Sequence, residues 1–221
     1  CSYRNEFDKW VTKDCEIING RFSLNGSING PSEMSISSKL ANGRDEINAI
    51  DILIEPGNME ISLKENEFKS IKVEGSSIQQ KYNSLEKSKL PIYTRLQSKS
   101  HSLDAFDSIG YFYKMDDTIR FNQLLEKRKP ILAQMDQIRD SLNQINMNYV
   151  VAHPNEFLSA YLLQWQYLAY HLNKDTAKFY CINFSEPVQN SYWTKSVLKD
   201  INIKEGPAIG ATAKDFTVRD M

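Results

Sequence analysis

An α+β fold is predicted: a small antiparallel β-sheet or sandwich over residues 1–75, followed by an α-helical domain over residues 76–203. Three observations predict it. Residues 1–75 alternate apolar and polar side chains in short runs punctuated by Gly, Asn and Pro, the pattern of strands joined by tight turns. At Ser76 the apolar period changes from two to three and four. From Phe121 to Tyr149 that helical period persists as a heptad-like seam.

The elements follow in order. Asn19-Gly20 is a hairpin turn pair, and Arg21-Phe-Ser-Leu-Asn25 after it reads as a strand with Phe22 and Leu24 on one face. Gly26 and Asn29-Gly-Pro31 mark further turns. Met34-Ser-Ile-Ser37 resumes the alternation, and Ile47–Ile54 is apolar enough for a strand covered on both faces. Pro56-Gly57 turns the chain into Met59–Lys64, and Ile71-Lys-Val73 closes the set. Ser76 or Ser77 caps a helix carrying Ile78, Tyr82 and Leu85. Leu90-Pro91 is expected to interrupt or end it, with helix resuming over Tyr93–Ser102. Phe106–Lys114 is aromatic and carries no clear period.

The seam Phe121, Leu124, Arg128, Ile131, Met135, Ile138, Leu142, Ile145, Tyr149 contains one residue, Arg128, that is not apolar. Pro130 predicts a kink or a new start there. Such a helix packs within the chain or forms a homodimer seam; the interrupted pattern favours the first. Asn155 is the predicted cap of a strongly apolar central helix bearing Phe157, Ala160, Tyr161, Leu163, Trp165, Leu168 and Leu172. Lys174–Phe184 is read as a helix with Phe179, Ile182 and Phe184 inward. A last helix starts at Ser185-Glu-Pro-Val, with Trp193, Val197 and Leu198 inside.

Composition excludes several function classes. The 27 Lys and Arg balance 28 Asp and Glu, so no cationic field favours nucleic acid or an anionic membrane surface. No apolar run reaches the roughly 20 residues that span a bilayer. The three cysteines, Cys1, Cys15 and Cys181, are far apart in sequence and offer no paired zinc ligands. No metal or cofactor is expected. Cys1-Ser2 matches the start of a mature bacterial lipoprotein, which makes Cys1 a candidate lipidation site; the other reading is an ordinary first residue. Cys15 and Cys181 are either two buried or half-buried thiols or a disulfide pair; nothing in the sequence shows the Cα approach a disulfide requires, which favours the first.

Catalytic patterns are sparse. His101, His153 and His171 read as loop or helix-end residues. Asp45-Glu46 and Asp116-Asp117 are adjacent acids, unsuited to flanking a scissile bond from two sides. Asp51 is an acid in an apolar strand context, which alternation can turn outward. No phosphate-binding loop and no Gly-x-Ser-x-Gly occurs. Lys127-Arg-Lys129 reads as a solvated helix face. Tyr161, Trp165, Tyr167, Tyr170 and Tyr180 suit a core more than a peptide or sugar groove.

The final residues carry a resemblance. Ile209-Gly-Ala-Thr-Ala-Lys-Asp-Phe-Thr-Val-Arg-Asp220 is similar to the entry segment of thioredoxin-fold proteins of the peroxiredoxin and membrane-tethered thiol–disulfide oxidoreductase type. Ile17–Gly26, Ile54–Ile61 and Val73–Ser76 resemble a β-rich domain of unknown function that precedes the thioredoxin fold in envelope proteins of certain Gram-negative bacteria. Because the first quoted stretch starts at Ile17, the first strand or two of that domain is expected to be missing or displaced. The chain departs from the oxidoreductases in lacking Cys-x-x-Cys. The resemblance therefore implies residues 204–221 as a linker and first strand of an absent thioredoxin-like domain. It implies a chain that is itself no enzyme: a non-catalytic N-terminal region of a thiol–disulfide oxidoreductase in the periplasm or anchored at the outer membrane. Its implied work is dimerisation, positioning, or contact with substrate or redox-partner proteins, with membrane attachment only through Cys1. The alternative is a free-standing lipoprotein that binds a small ligand or peptide in an aromatic groove; a third reading, redox chemistry between Cys15 and Cys181, stays open.

Overall fold

The computed structural model describes residues 1–38, 47–106 and 117–205. The chain forms two compact units, residues 1–152 and 153–221, and its class is α+β. In the first unit, β1 (Ser2–Arg4), β2 (Trp10–Thr12), β3 (Ser32–Ser37) and β4 (Ala49–Ile54) form an antiparallel sheet in the order β2-β1-β3-β4, and β5 (Glu60–Ser62) pairs with β6 (Lys72–Glu74). Alternation sends Tyr3, Met34, Ile36, Ile52 and Ile54 to one face, where they join Phe68 and Val73 in a single buried cluster.

Residues 2–4 and 10–12 pair in register, with Tyr3 opposite Val11, two strands ahead of the first run picked out in the sequence. One expectation is corrected: Arg21–Asn25 is not a strand. Asn19 and Gly20 do make the turn, with φ of 52° and 74°, and Ile18 and Arg21 exchange backbone hydrogen bonds of 2.9 and 3.0 Å. Beyond that bridge the segment pairs with no strand and crosses over the core instead. Leu24 packs on the buried cluster, and Lys13 Nζ holds the Asn25 carbonyl at 2.6 Å. Gly26 lies so close to Tyr3 that a Cβ there would stand 2.2 Å from the phenol oxygen. The strand expected over Ile47–Ile54 begins at Ala49, with Ile47 exposed, and it is buried on both faces only over Ile52, Leu53 and Ile54.

Helix α1 (Ser77–His101) starts where Ser76 accepts a hydrogen bond from Gln79 N at 3.2 Å. It does not stop at Leu90-Pro91. Pro91 is exposed, so the carbonyl that loses its amide partner faces solvent and the helix continues. Pro130 is likewise carried inside α2 (Thr118–Ala152) on an exposed position. The predicted seam of α2 is its covered side: Met135 and Ile138 are buried and the other seam residues are half-buried. It packs on α1.

The second unit holds α3 (Phe157–Leu168), α4 (Lys174–Asn183), α5 (Glu186–Gln189) and α6 (Tyr192–Glu205). Asn155 does not cap α3; Glu156 occupies that position without a side-chain bond. The His153 carbonyl gathers the turn instead, accepting from Glu156 N at 3.1 Å and Ser159 Oγ at 2.7 Å. The last predicted helix divides at Asn190-Ser191. There the Ser191 hydroxyl donates to the Val188 carbonyl (2.6 Å) and accepts from Thr194 N (3.3 Å), which starts a new helix. In α4 the inward residues are Ala177 and Cys181, not Phe179 and Ile182, which are 57% and 59% exposed. Phe184, just past the helix end, is buried as expected.

Candidate functional site

The three thiols are free. Cys1 extends the β1–β2 ladder: its amino group donates to the Lys13 carbonyl (2.9 Å) and its carbonyl accepts from Lys13 N (2.8 Å). Its side chain packs against the β-core. Cys15 is half-buried in the first unit, and Cys181 belongs to the second, where it is 0% exposed. Burial pushes the Cys181 thiol up to about 12, because an apolar interior penalises the thiolate. At neutral pH the thiol, not the nucleophilic thiolate, is therefore the form present.

The histidines do not meet. His101 ends α1, exposed. His153 Nδ1 lies 3.6 Å from Glu156 Oε1 at the turn before α3. The His171 backbone N–H donates to the Gln166 carbonyl at 3.0 Å in the cap that ends α3. Asp117 accepts from Arg120 N at 3.1 Å, the ordinary work of an acid at a helix start. Asp45, Glu46 and Asp116 lie outside the described residues, as do most of Phe106–Lys114 and all of residues 206–221. Asp51 is turned outward, where it accepts from the Ser35 hydroxyl. Lys127 and Lys129 are exposed, with Lys129 paired to Glu126. Among the described residues no group of three or more His, Cys, Asp or Glu is placed to hold a metal ion, and no helix is long and apolar enough to cross a membrane.

Two arrangements were invisible to sequence reasoning. The first is a polar row across the outer sheet face. Thr12 stands opposite Ser2, Ser2 opposite Ser35 and Ser35 opposite Asp51, with Ser2 and Thr12 hydroxyls 2.9 Å apart. Beside it the Arg4 guanidinium lies 4.7 Å from the Trp10 ring centroid. Strand register, which a single sequence does not display, brings these residues into line. The second is the seal between α1 and the β4 edge. Gln79 Oε1 accepts from Leu53 N at 2.6 Å, and Ser76 Oγ donates to Leu53 O at 2.9 Å. Glu55 holds the Ser77 and Ile78 amides at 2.9 and 3.3 Å. The exposed edge of a sheet is thus closed by side chains at a helix start.

The α3 helix supplies the most distinctive surface. Leu158, Ala160, Leu162, Leu163 and Tyr167 are buried, and so are Gln164 and Gln166. The aromatic set read mainly as core is divided. Tyr167 is buried and donates to Asp200 Oδ2 at 2.7 Å, whereas Trp165 is 50% and Tyr170 87% exposed. Leu168, also expected inside, is 50% exposed. Tyr161, half-buried, meets Trp193 of α6 edge-to-face at 5.4 Å between centroids and Trp165 at 6.3 Å. Phe157, Tyr161, Trp165 and Leu168 follow one another at steps of four, four and three, so the stripe of α3 that reaches solvent is wholly apolar. A solvent-facing stripe ordinarily carries polar side chains, which makes this one a candidate contact surface.

Residues 2–82 match the family model described as a domain of unknown function (DUF4369). The match covers both small sheets and the start of α1. No curated protein and no solved structure matches the chain.

Proposed function

We propose that this chain is the non-catalytic N-terminal region of a cell-envelope thiol–disulfide oxidoreductase, serving dimerisation, positioning or contact with substrate proteins. The observation that carries the reading is the condition of Cys181. Thiol–disulfide exchange requires an accessible thiol of lowered pKa with a resolving partner, and Cys181 is fully buried with its pKa raised. Two further observations support it. The three β-rich stretches that resemble the envelope proteins all fall inside residues 2–82, where the domain of unknown function lies. The exposed flank of α3 suits a protein contact.

The reading is tested on two fronts. The gene beyond the codon for Met221 is read for a thioredoxin-like domain with Cys-x-x-Cys; a stop codon directly after Met221 overturns the reading. The chain is also assayed for insulin reduction, with thiol alkylation before and after treatment with reductant. Turnover, or a reversible Cys15–Cys181 disulfide, overturns the non-catalytic part. A free-standing lipoprotein is the second reading, favoured by the half-exposed Trp165; saturable quenching of Trp165 fluorescence by a peptide or sugar, lost in Trp165→Phe, would support it.

A further inference from the structure

We propose that the cleft between the β1–β2 hairpin and residues 24–29 binds a short peptide with free termini, about three residues long. The cleft belongs to the first unit and measures about 440 Å³. Tyr3 and Val11, opposite one another in the ladder, form its floor. The segment across it is fastened at two points. Lys13 Nζ donates to the Asn25 carbonyl at 2.6 Å, and the Asn29 side-chain amide donates to the Glu6 carbonyl. Between those fastenings Gly26 and Ser27 line the cleft. One side chain points to a ligand. Tyr3 is 3% exposed, and its hydroxyl has no hydrogen-bond partner among the described residues. The hydroxyl end of the ring is the part beside Gly26, where a Cβ would run into the phenol oxygen. The hydroxyl therefore lies at the cleft wall, and the absence of a side chain at residue 26 leaves room for it. Buried phenols ordinarily find a partner, and burying a hydroxyl without one is costly; a polar group in the cleft removes that cost.

Charge and length decide the class of ligand. Lys13 and Glu6 both line the cleft, and neither is ion-paired among the described residues. They stand at opposite ends of it. Lys13 is bonded to Cys1 at one end of the ladder, Asn5 N donates to the Lys9 carbonyl at the other, and Glu6 follows Asn5. Four strand steps separate Cys1 from Asn5, about 13 Å. A free amino acid carries both charges on one Cα and cannot reach the two ends together. An extended tripeptide spans roughly 10 Å, and the Lys13 and Glu6 side chains close the remainder. The ligand carboxylate is then placed at Lys13 and its ammonium at Glu6, each in a charge-assisted hydrogen bond. Tyr3, midway between Cys1 and Asn5, is level with the central peptide group, whose carbonyl accepts from the phenol.

The test is a titration of tri-alanine into the isotope-labelled chain, followed by amide chemical shifts at neutral pH. Saturable shifts are expected over residues 3–13 and 24–29. Acetylating the peptide's amino terminus or amidating its carboxyl terminus should each weaken binding about ten-fold, the loss of one charge-assisted hydrogen bond. Glu6→Gln should weaken tri-alanine about ten-fold and leave the acetylated peptide unaffected; Lys13→Gln should do the same for the amidated peptide. Lys13 is exposed and Glu6 half-buried, and Gln retains the length of Glu and a donor for the Asn25 carbonyl, so far-UV circular dichroism should be unchanged in both variants. Tyr3→Phe keeps the ring and removes the hydroxyl, and should weaken binding several-fold. No saturable shift below about 20 mM peptide, shifts centred elsewhere, or an affinity indifferent to both terminal blocks overturns the proposal. Sensitivity to the carboxylate alone identifies a simple anion site and overturns the peptide assignment.

Discussion

Replacing Gln79 with Met tests whether the β4 edge is held shut by the start of α1. The side chain is buried; its carbonyl oxygen accepts from Leu53 N at 2.6 Å and its amide donates to Asn83 at 2.7 Å. Met matches Gln in length and apolar bulk, so packing is conserved, while the Leu53 N–H is left buried with no acceptor. An unsatisfied buried amide costs about 1–3 kcal/mol, and about 2 kcal/mol is expected here because Leu53 is almost fully covered. With a urea slope of about 2 kcal/mol/M, that lowers the unfolding midpoint by about 1 M. The assay is urea denaturation followed by far-UV circular dichroism, with exchange of the Leu53 amide read in parallel. Gln80→Met, one residue along and exposed, is the control and should stay within about 0.5 kcal/mol of the parent sequence. If Gln79→Met unfolds with the control, or Leu53 exchange does not accelerate, the edge is not sealed by this side chain and the reasoning is wrong.

Other expectations follow from single positions. Tyr170 sits at φ 59° in the cap that ends α3, its N–H donating to Tyr167 O at 3.1 Å. Because a left-handed conformation is costly for a residue with a Cβ, Tyr170→Gly should stabilise by about 0.5–1 kcal/mol, read as a higher Tm. Gly75 has φ 83°, and a Cβ there would meet the Asn58 carbonyl at 2.4 Å; Gly75→Ala should cost about 2 kcal/mol or more in a urea titration. Iodoacetamide at pH 8 should label Cys1 and Cys15 well before Cys181, with all three equal in denaturant; equal native rates would contradict the burial of Cys181. Burial, with Glu86, Glu33 and Asp51 nearby, raises the Tyr82 phenol to about 12. The neutral form is thus favoured by folding, so its contribution to stability is intact below about pH 10 and is lost as the pH climbs to 12. Alkaline unfolding should be delayed in Tyr82→Phe, and an unchanged alkaline midpoint would count against that assignment.

Local chemistry set out much of this protein in advance. The change of apolar period at Ser76, the capping serine and the covered side of α2 were legible because each depends on residues within a turn or two of one another. The Asn19-Gly20 turn was legible for the same reason. Tertiary structure alone decided whether Phe22 and Leu24 joined a strand, since alternation states a preference for extended chain and not a pairing partner. It decided that Pro91 and Pro130 stay within helices, because the cost of a lost amide depends on whether water reaches the freed carbonyl. It also decided which flank of α3 meets solvent: a helix apolar on more than one side carries only a weak periodic signal of its own orientation. The candidate surface formed by Tyr161, Trp165 and Leu168 was visible in composition, but its exposure was not, because burial belongs to neighbours that are distant in sequence.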